Sequence, residues 1–133
     1  MGDYDVYGNP DEYQIETHVD SKLQETLGSL SGGSDLHGVV QRVAFRIHKK
    51  FGREDTGANW NGACEAIRRY FKGNMGIYYG GGVNAEVKRQ LAIRANQIGR
   101  NSGKSDFENW ITASDAFADE IFDSEAIKMR LAA

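Results

Sequence analysis

Leu36, Val39, Val40, Val43, Ile47 and Phe51 recur at the three- and four-residue steps of a helix face, and Gly52 follows the last of them. Ser34 or Asp35 stands where an N-cap is needed, so a helix over 36–51 is the clearest element of the chain. Upstream, Asn9-Pro10-Asp11-Glu12 has the form of a helix start, with Asn9 as cap and Pro10 at the first helical position. Ile15, Val19, Leu23 and Leu27 then form a stripe at steps of four that Gly28 stops. Tyr13, Ile15, Thr17 and Val19 also alternate as a strand would, but start, stripe and stop agree only on the helix.

Farther along, residues 53–59 show no apolar period and are expected to be a loop. A third helix over 59–72 follows, burying Trp60, Ala63, Ile67, Tyr70 and Phe71. Met75–Tyr79 is short, apolar and aromatic, the composition of a strand or a packed extended segment, and Gly80-Gly81-Gly82 ends it. Asn84 is placed to cap a helix carrying Val87, Leu91, Ala95 and Ile98. Ser105 and Glu108 form a capping box for a helix with Phe107, Trp110, Ile111, Phe117 and Ile121 on its apolar side, and Ser124 is expected to restart a short helix with Ile127, Met129 and Leu131. The fold class is therefore mainly α: a small single-domain bundle of five or six helices with a short strand or extended segment near 75–79. Ser31-Gly32-Gly33-Ser34 reads as a linker, which divides the chain into an N-terminal arm with a helix, 1–35, and a helical core domain, 36–133.

At 133 residues and 40% hydrophobic content the chain is the size of one ordinary domain. Cys64 is its only cysteine, which excludes an intrachain disulfide and a thiolate metal cage within one chain. No basic segment followed by an apolar run opens the sequence, and no stretch approaches the ~18 apolar residues of a spanning helix, so a cytoplasmic protein without membrane partners is expected.

Charge changes the picture more than composition does. Residues 37–104 carry 13 Lys or Arg against 4 Asp or Glu, whereas 1–36 hold 8 acids and 1 base and 105–133 hold 7 acids and 2 bases. Blocks of opposite sign in one chain imply an internal clasp or surfaces built to meet charged partners.

Within the basic block, Arg42, Arg46, Lys49 and Arg53 recur at steps of four, three and four beside the apolar face of their helix. At about 100° per residue, Phe45 falls outside the apolar arc and between these cations, the position of an interface anchor. These five residues are the expected partner-binding set, unless the arm or a neighbouring helix covers Phe45. Gln90, Arg94, Gln97 and Asn101 share one side of a later helix, and Lys88, Arg89, Arg100 and Lys104 lie near them. Side chains of these types read base edges and meet phosphates, which makes the eight residues a candidate nucleic-acid surface, although they are equally ordinary on the wet side of a helix.

Weaker signals remain. Gly80, Gly81, Gly82 and Asn84 form a candidate anion site, in which free amides and a helix N-terminus face a ligand; a tight turn has the same composition. Gly99–Ser105 ends in Gly-Lys-Ser but has three residues between its glycines where a P-loop has four, and it follows a helix. His18, His37 and His48 are too far apart for a local metal pair. Glu86 and Lys88, an isolated Glu-x-Lys, point about 200° apart on a helix and would not share one ligand. No catalytic residue, metal site or cofactor is expected from these patterns.

The sequence thus favours a non-enzymatic interaction or assembly module that docks onto a protein or onto other copies of itself, in the manner of small accessory or inhibitory proteins of phages and mobile elements. A nucleic-acid-binding protein using 42–104 is the alternative, and an enzyme acting on an anionic substrate at Gly80–Asn84 is third.

Overall fold

The computed structural model describes residues 21, 23–30, 32–74 and 83–132, with side chains described except at 74, 101–102 and 129–132. Among these residues the chain is mainly helical and holds no strand. A first helix, α1, is described over residues 23–28; α2 spans Asp35–Phe51, α3 Thr56–Asn74, α4 Val83–Ser102 and α5 Asp106–Ala132. The segment at 75–79, where a strand or extended piece is expected, and most of the helix expected over 10–27 lie outside the described residues.

Local chemistry sets the helix ends. Ser34 is the N-cap of α2, its hydroxyl accepting from the His37 amide at 2.9 Å. Gly52 ends the same helix at φ 66°, donating its amide to His48 at 2.9 Å, a left-handed geometry that favours glycine. α3 begins at Thr56 rather than at Asn59. The Asp55 carboxylate accepts from the Ala58 amide at 3.0 Å and caps a first turn whose polar, glycine-containing residues carry no apolar signal. At the start of α4, Val83 is already helical and 1% exposed, so Asn84 lies inside the first turn and is not the cap.

The capping box of α5 forms as its sequence indicates. Ser105 Oγ accepts from the Glu108 amide at 3.2 Å, and Glu108 Oε1 accepts from the Ser105 amide, also at 3.2 Å. Those hydrogen bonds to the carboxylate hold Glu108 below its usual pKa. The expected restart at Ser124 does not occur, because α5 continues through it as a single helix and the Ser124 hydroxyl bonds the neighbouring Glu125 carboxylate. Phe107, Ile111 and Ile127 depart from the expected burial as well. They are exposed, while Ala113, Phe117, Ala118, Ile121 and Phe122 carry the burial of α5.

The core is continuous. α2 packs on α3, α4 and α5, and α5 also packs on α3 and α4, which makes α2 and α5 the central pair. Leu36, Val39, Val40, Val43 and Ile47 of α2 meet Ala63, Ala66, Ile67 and Phe71 of α3, Val87 and Leu91 of α4, and Phe117 and Ile121 of α5 in one buried cluster. Leu23 of α1 is fully buried in the same cluster, and Leu27 and Leu30 pack against it. Tyr70, Phe71 and Phe117 meet edge to face, with centroids 5.9 to 6.4 Å apart, the arrangement that ring quadrupoles favour. No helix among the described residues is long and apolar enough to cross a membrane.

Candidate functional site

Where α2 and α5 meet at the surface, an open groove of about 760 Å³ is lined by Arg42, Phe45, Arg46, Lys49 and Lys50 on one wall and by Asp115, Asp119, Phe122 and Asp123 on the other. Four of the five residues of the expected partner-binding set are therefore brought to one place. The fifth, Arg53, lies past the helix end and does not line the groove. Its backbone carbonyl accepts from Asn59 Nδ2 at 2.9 Å and lies 2.8 Å from His48 Nδ1, which fixes the α2–α3 connection.

Arg46 is the hinge between the walls. Its Nη2 reaches Asp115 Oδ1 and its Nε reaches Asp119 Oδ1, each at 2.7 Å, while Nη2 also donates to the Asp115 carbonyl at 3.1 Å and Nη1 to the Arg42 carbonyl at 3.0 Å. Asp115 and Asp119 are four residues apart on one helix, so both carboxylates face one guanidinium, whose planar fork suits such a double contact. Burial works against the Arg46 charge, but the hydrogen bonds and charges of the two aspartates outweigh it and hold the guanidinium above its ordinary range. Part of the acidic C-terminal block is thus folded onto the basic middle of the same chain. Arg42 turns back to its own helix, donating from Nη1 to the Gly38 carbonyl at 3.1 Å.

No described residue covers Phe45. It is 59% exposed, with Lys49 Nζ 5.7 Å from its ring centroid, within cation–π range. Lys49 and Lys50 are exposed and have no ion-pair partner among the described residues. The groove therefore offers an apolar anchor, a cationic rim on α2 and an acidic rim on α5 that Arg46 partly neutralises.

The candidate nucleic-acid set is divided by the structure. Arg94 is drawn inward: its Nη2 reaches Glu120 Oε1 at 2.7 Å, its guanidinium lies 4.4 Å from the centroid of Phe117, and it also bonds the Gln90 side chain. Gln90 Nε2 donates in turn to Glu86 Oε2 at 3.1 Å, and Glu86 pairs with Arg89. On the other side of Glu120 stands the Tyr70 hydroxyl, which donates to Oε2. A polar chain thus runs from α3 through α5 to α4. Gln90 and Arg94 are committed to it, whereas Lys88, Arg89, Gln97, Arg100 and Lys104 are exposed and the Asn101 side chain is not among those described.

Proton affinities follow this packing. Burial, reinforced by Glu120, pushes the Tyr70 hydroxyl up to about 12. Burial opposes the Glu120 charge, yet the hydrogen bonds from Tyr70 and Arg94 prevail and its pKa is lowered. Arg89 lowers that of Glu86. Burial, with a contribution from Glu65, raises Cys64 to about 11, so the thiol stays protonated near neutrality and is a poor nucleophile.

The remaining candidates do not gather. Gly80, Gly81 and Gly82 lie outside the described residues, as does His18, and Asn84 is exposed in the first turn of α4. The Gly-Lys-Ser stretch falls at the end of α4, where Gly103 takes a left-handed φ of 67°. No group of three His, Cys, Asp or Glu able to hold a metal ion occurs among the described residues.

Sequence reasoning missed the opposite wall of the groove. The opposed charge blocks already implied an internal clasp, but nothing beyond the i,i+4 spacing that Asp115 and Asp119 share with Arg42 and Arg46 said which carboxylates meet α2. Phe122 gave no signal, since it lies beside Ile121 in an apolar pair. No protein-family model, curated protein or solved structure matches the chain.

Proposed function

We propose that this chain is a non-enzymatic protein-interaction module whose α2–α5 groove receives a segment of a partner protein. One observation carries the reading: a phenylalanine more than half exposed stands in a groove of about 760 Å³ between two charged rims. Large aromatic side chains left in water beside a concavity are the usual anchors of protein interfaces, and the flanking charges supply register and partner choice. Arg46, fixed from both walls, keeps the groove formed before a partner arrives, which lowers the ordering cost of association. The inward commitment of Gln90 and Arg94 supports a protein partner over base readout, because two of the side chains suited to paired contacts with bases are already occupied.

The test is a photo-crosslinking amino acid in place of Gln41, an exposed residue lining the groove. In cells that produce the chain, irradiation is expected to yield discrete protein adducts that disappear when Phe45→Asp is added. Adducts that persist unchanged without the phenylalanine, or their absence, would refute the reading.

A further inference from the structure

The N-terminal end of α5 extends past the start of α2, while its Asn109 is buried against Gly99 of α4. Trp110 Nε1 donates to the carboxylate of Asp35, the first residue of α2, at 3.0 Å, and Arg46 farther along α2 meets Asp115 and Asp119 farther along α5. The two helices therefore run in the same direction, and the turn of α5 before Trp110 lies past the start of α2. Phe107, Ser114, Ala118, Ile121 and Glu125 fall on one side of α5 at steps of seven, four, three and four. The last four are buried, whereas Phe107 is 73% exposed and Ile111, one turn on, is 40% exposed. The core-facing stripe of α5 thus continues past the start of α2 and presents two apolar side chains at i,i+4 spacing.

The charges beside them differ between the two flanks of the helix. Asp106 and Glu108 flank Phe107, and Asp106 has no ion-pair partner among the described residues; Lys104 lies near Glu108. The α2 rim of the groove carries Lys49 and Lys50, while Asp123 and the Arg46-bound aspartates occupy the α5 rim. Asp106 and Glu108 point about 200° apart on the helix, and Glu108 is bound by Ser105 with Lys104 beside it, so the end fits the groove with Asp106 toward α2 and the Glu108–Lys104 side toward the acidic rim.

We propose that the occupant of the groove is the α5 N-terminal end of a second copy of this chain, Phe107 and Ile111 packing against Phe45 and Phe122 while Asp106 meets Lys49 and Lys50. This assignment rests on the reading of the groove as a protein-binding site and names its partner. End and groove are different surfaces of one molecule, so each copy that gives its α5 end to a neighbour keeps its own groove open for another.

Sedimentation velocity of the full chain tests it with two variants, Phe45→Asp in the groove and Phe107→Asp with Ile111→Asp at the helix end. The wild-type mass is expected to rise with concentration and to fall with added salt. Each variant alone is expected to lose self-affinity by at least about tenfold while keeping its helical circular dichroism, because the substituted side chains are exposed. An equal mixture of the two variants is expected to recover a one-to-one pair, since one partner retains an intact groove and the other an intact end. A wild-type chain that stays monomeric at every concentration, or a mixture in which the two variants ignore each other, would overturn the assignment. If the Gln41 crosslinker then still captures a different protein in a Phe45-dependent manner, only the second copy is ruled out as partner; if it captures nothing, the reading of the groove fails with it.

Discussion

Two seams of this bundle use the same three parts, an arginine, carboxylates and a phenylalanine, to opposite effect. Where α4 meets α5, the Arg94 guanidinium lies over Phe117, Glu120 closes it from one side, and the ring beneath is fully buried. Where α2 meets α5, Arg46 is clamped by Asp115 and Asp119, but Phe45 stands outside the clamp in water. The first seam spends its aromatic on the core and its charges on satisfying one another. The second leaves its aromatic unspent beside charges that are only partly matched, which is why it is the candidate for binding.

The contrast is broken most severely at Phe117. Phe117→Ala should destabilise the fold by about 3–5 kcal/mol, since it empties a fully buried site shared by Tyr70, Phe71 and Arg94. Urea denaturation followed by circular dichroism measures this directly. Glu120→Ala comes next, at about 1–2 kcal/mol, because Arg94 and the Tyr70 hydroxyl would lose their shared acceptor in a half-buried setting while solvent still screens the carboxylate. Arg46→Ala should cost about 1 kcal/mol or less, as Asp115 and Asp119 are well exposed and regain water. Its larger consequence is for the groove, whose walls lose their tie. Phe45→Ser should change stability by no more than about 0.5 kcal/mol and yet abolish groove-dependent crosslinking.

Titration sharpens the same comparison. The folded pKa of Tyr70 is raised to about 12 from an ordinary value of 10.0, so the stabilisation tied to its neutral form is complete below pH 10 and is lost as pH rises toward 12. Glu120 is shifted the other way. Its contribution is complete above the ordinary carboxylate pKa of 4.5 and disappears as pH falls through the lowered folded value. The α4–α5 seam should therefore weaken at both extremes, and Tyr70→Phe should flatten the alkaline limb of a plot of melting temperature against pH.

Helices were legible in the chain because burial on one side of a helix leaves a period in the sequence. α2 is the fullest case: its stripe, its Ser34 cap and its Gly52 stop are all local signals, and each appears in the structure. The start of α3 was not legible, since Thr56 to Ala58 bury little and are held by the Asp55 cap instead. Phe107 and Ile111 lie on the apolar side of α5 and were expected to be buried for a related reason. Periodicity records which side of a helix is apolar, but not how far along that side a neighbour reaches.

The candidate site was half legible. Arg42, Phe45, Arg46 and Lys49 could be placed on one edge of α2 from spacing alone, while Asp115, Asp119, Phe122 and Asp123 could not be set opposite them. Gln90 and Arg94 illustrate the converse, for their spacing suits an outward reading face and the packing of Glu120 and Phe117 turns them in. By itself the sequence determined the helical stripes, the caps of α2 and α5 and the sorting of charge along the chain, because these follow from contacts within a few residues. Only the tertiary structure decided which cations are matched and which aromatic is left in water. Those outcomes depend on pairs separated by about seventy positions, brought together by the burial of a common core.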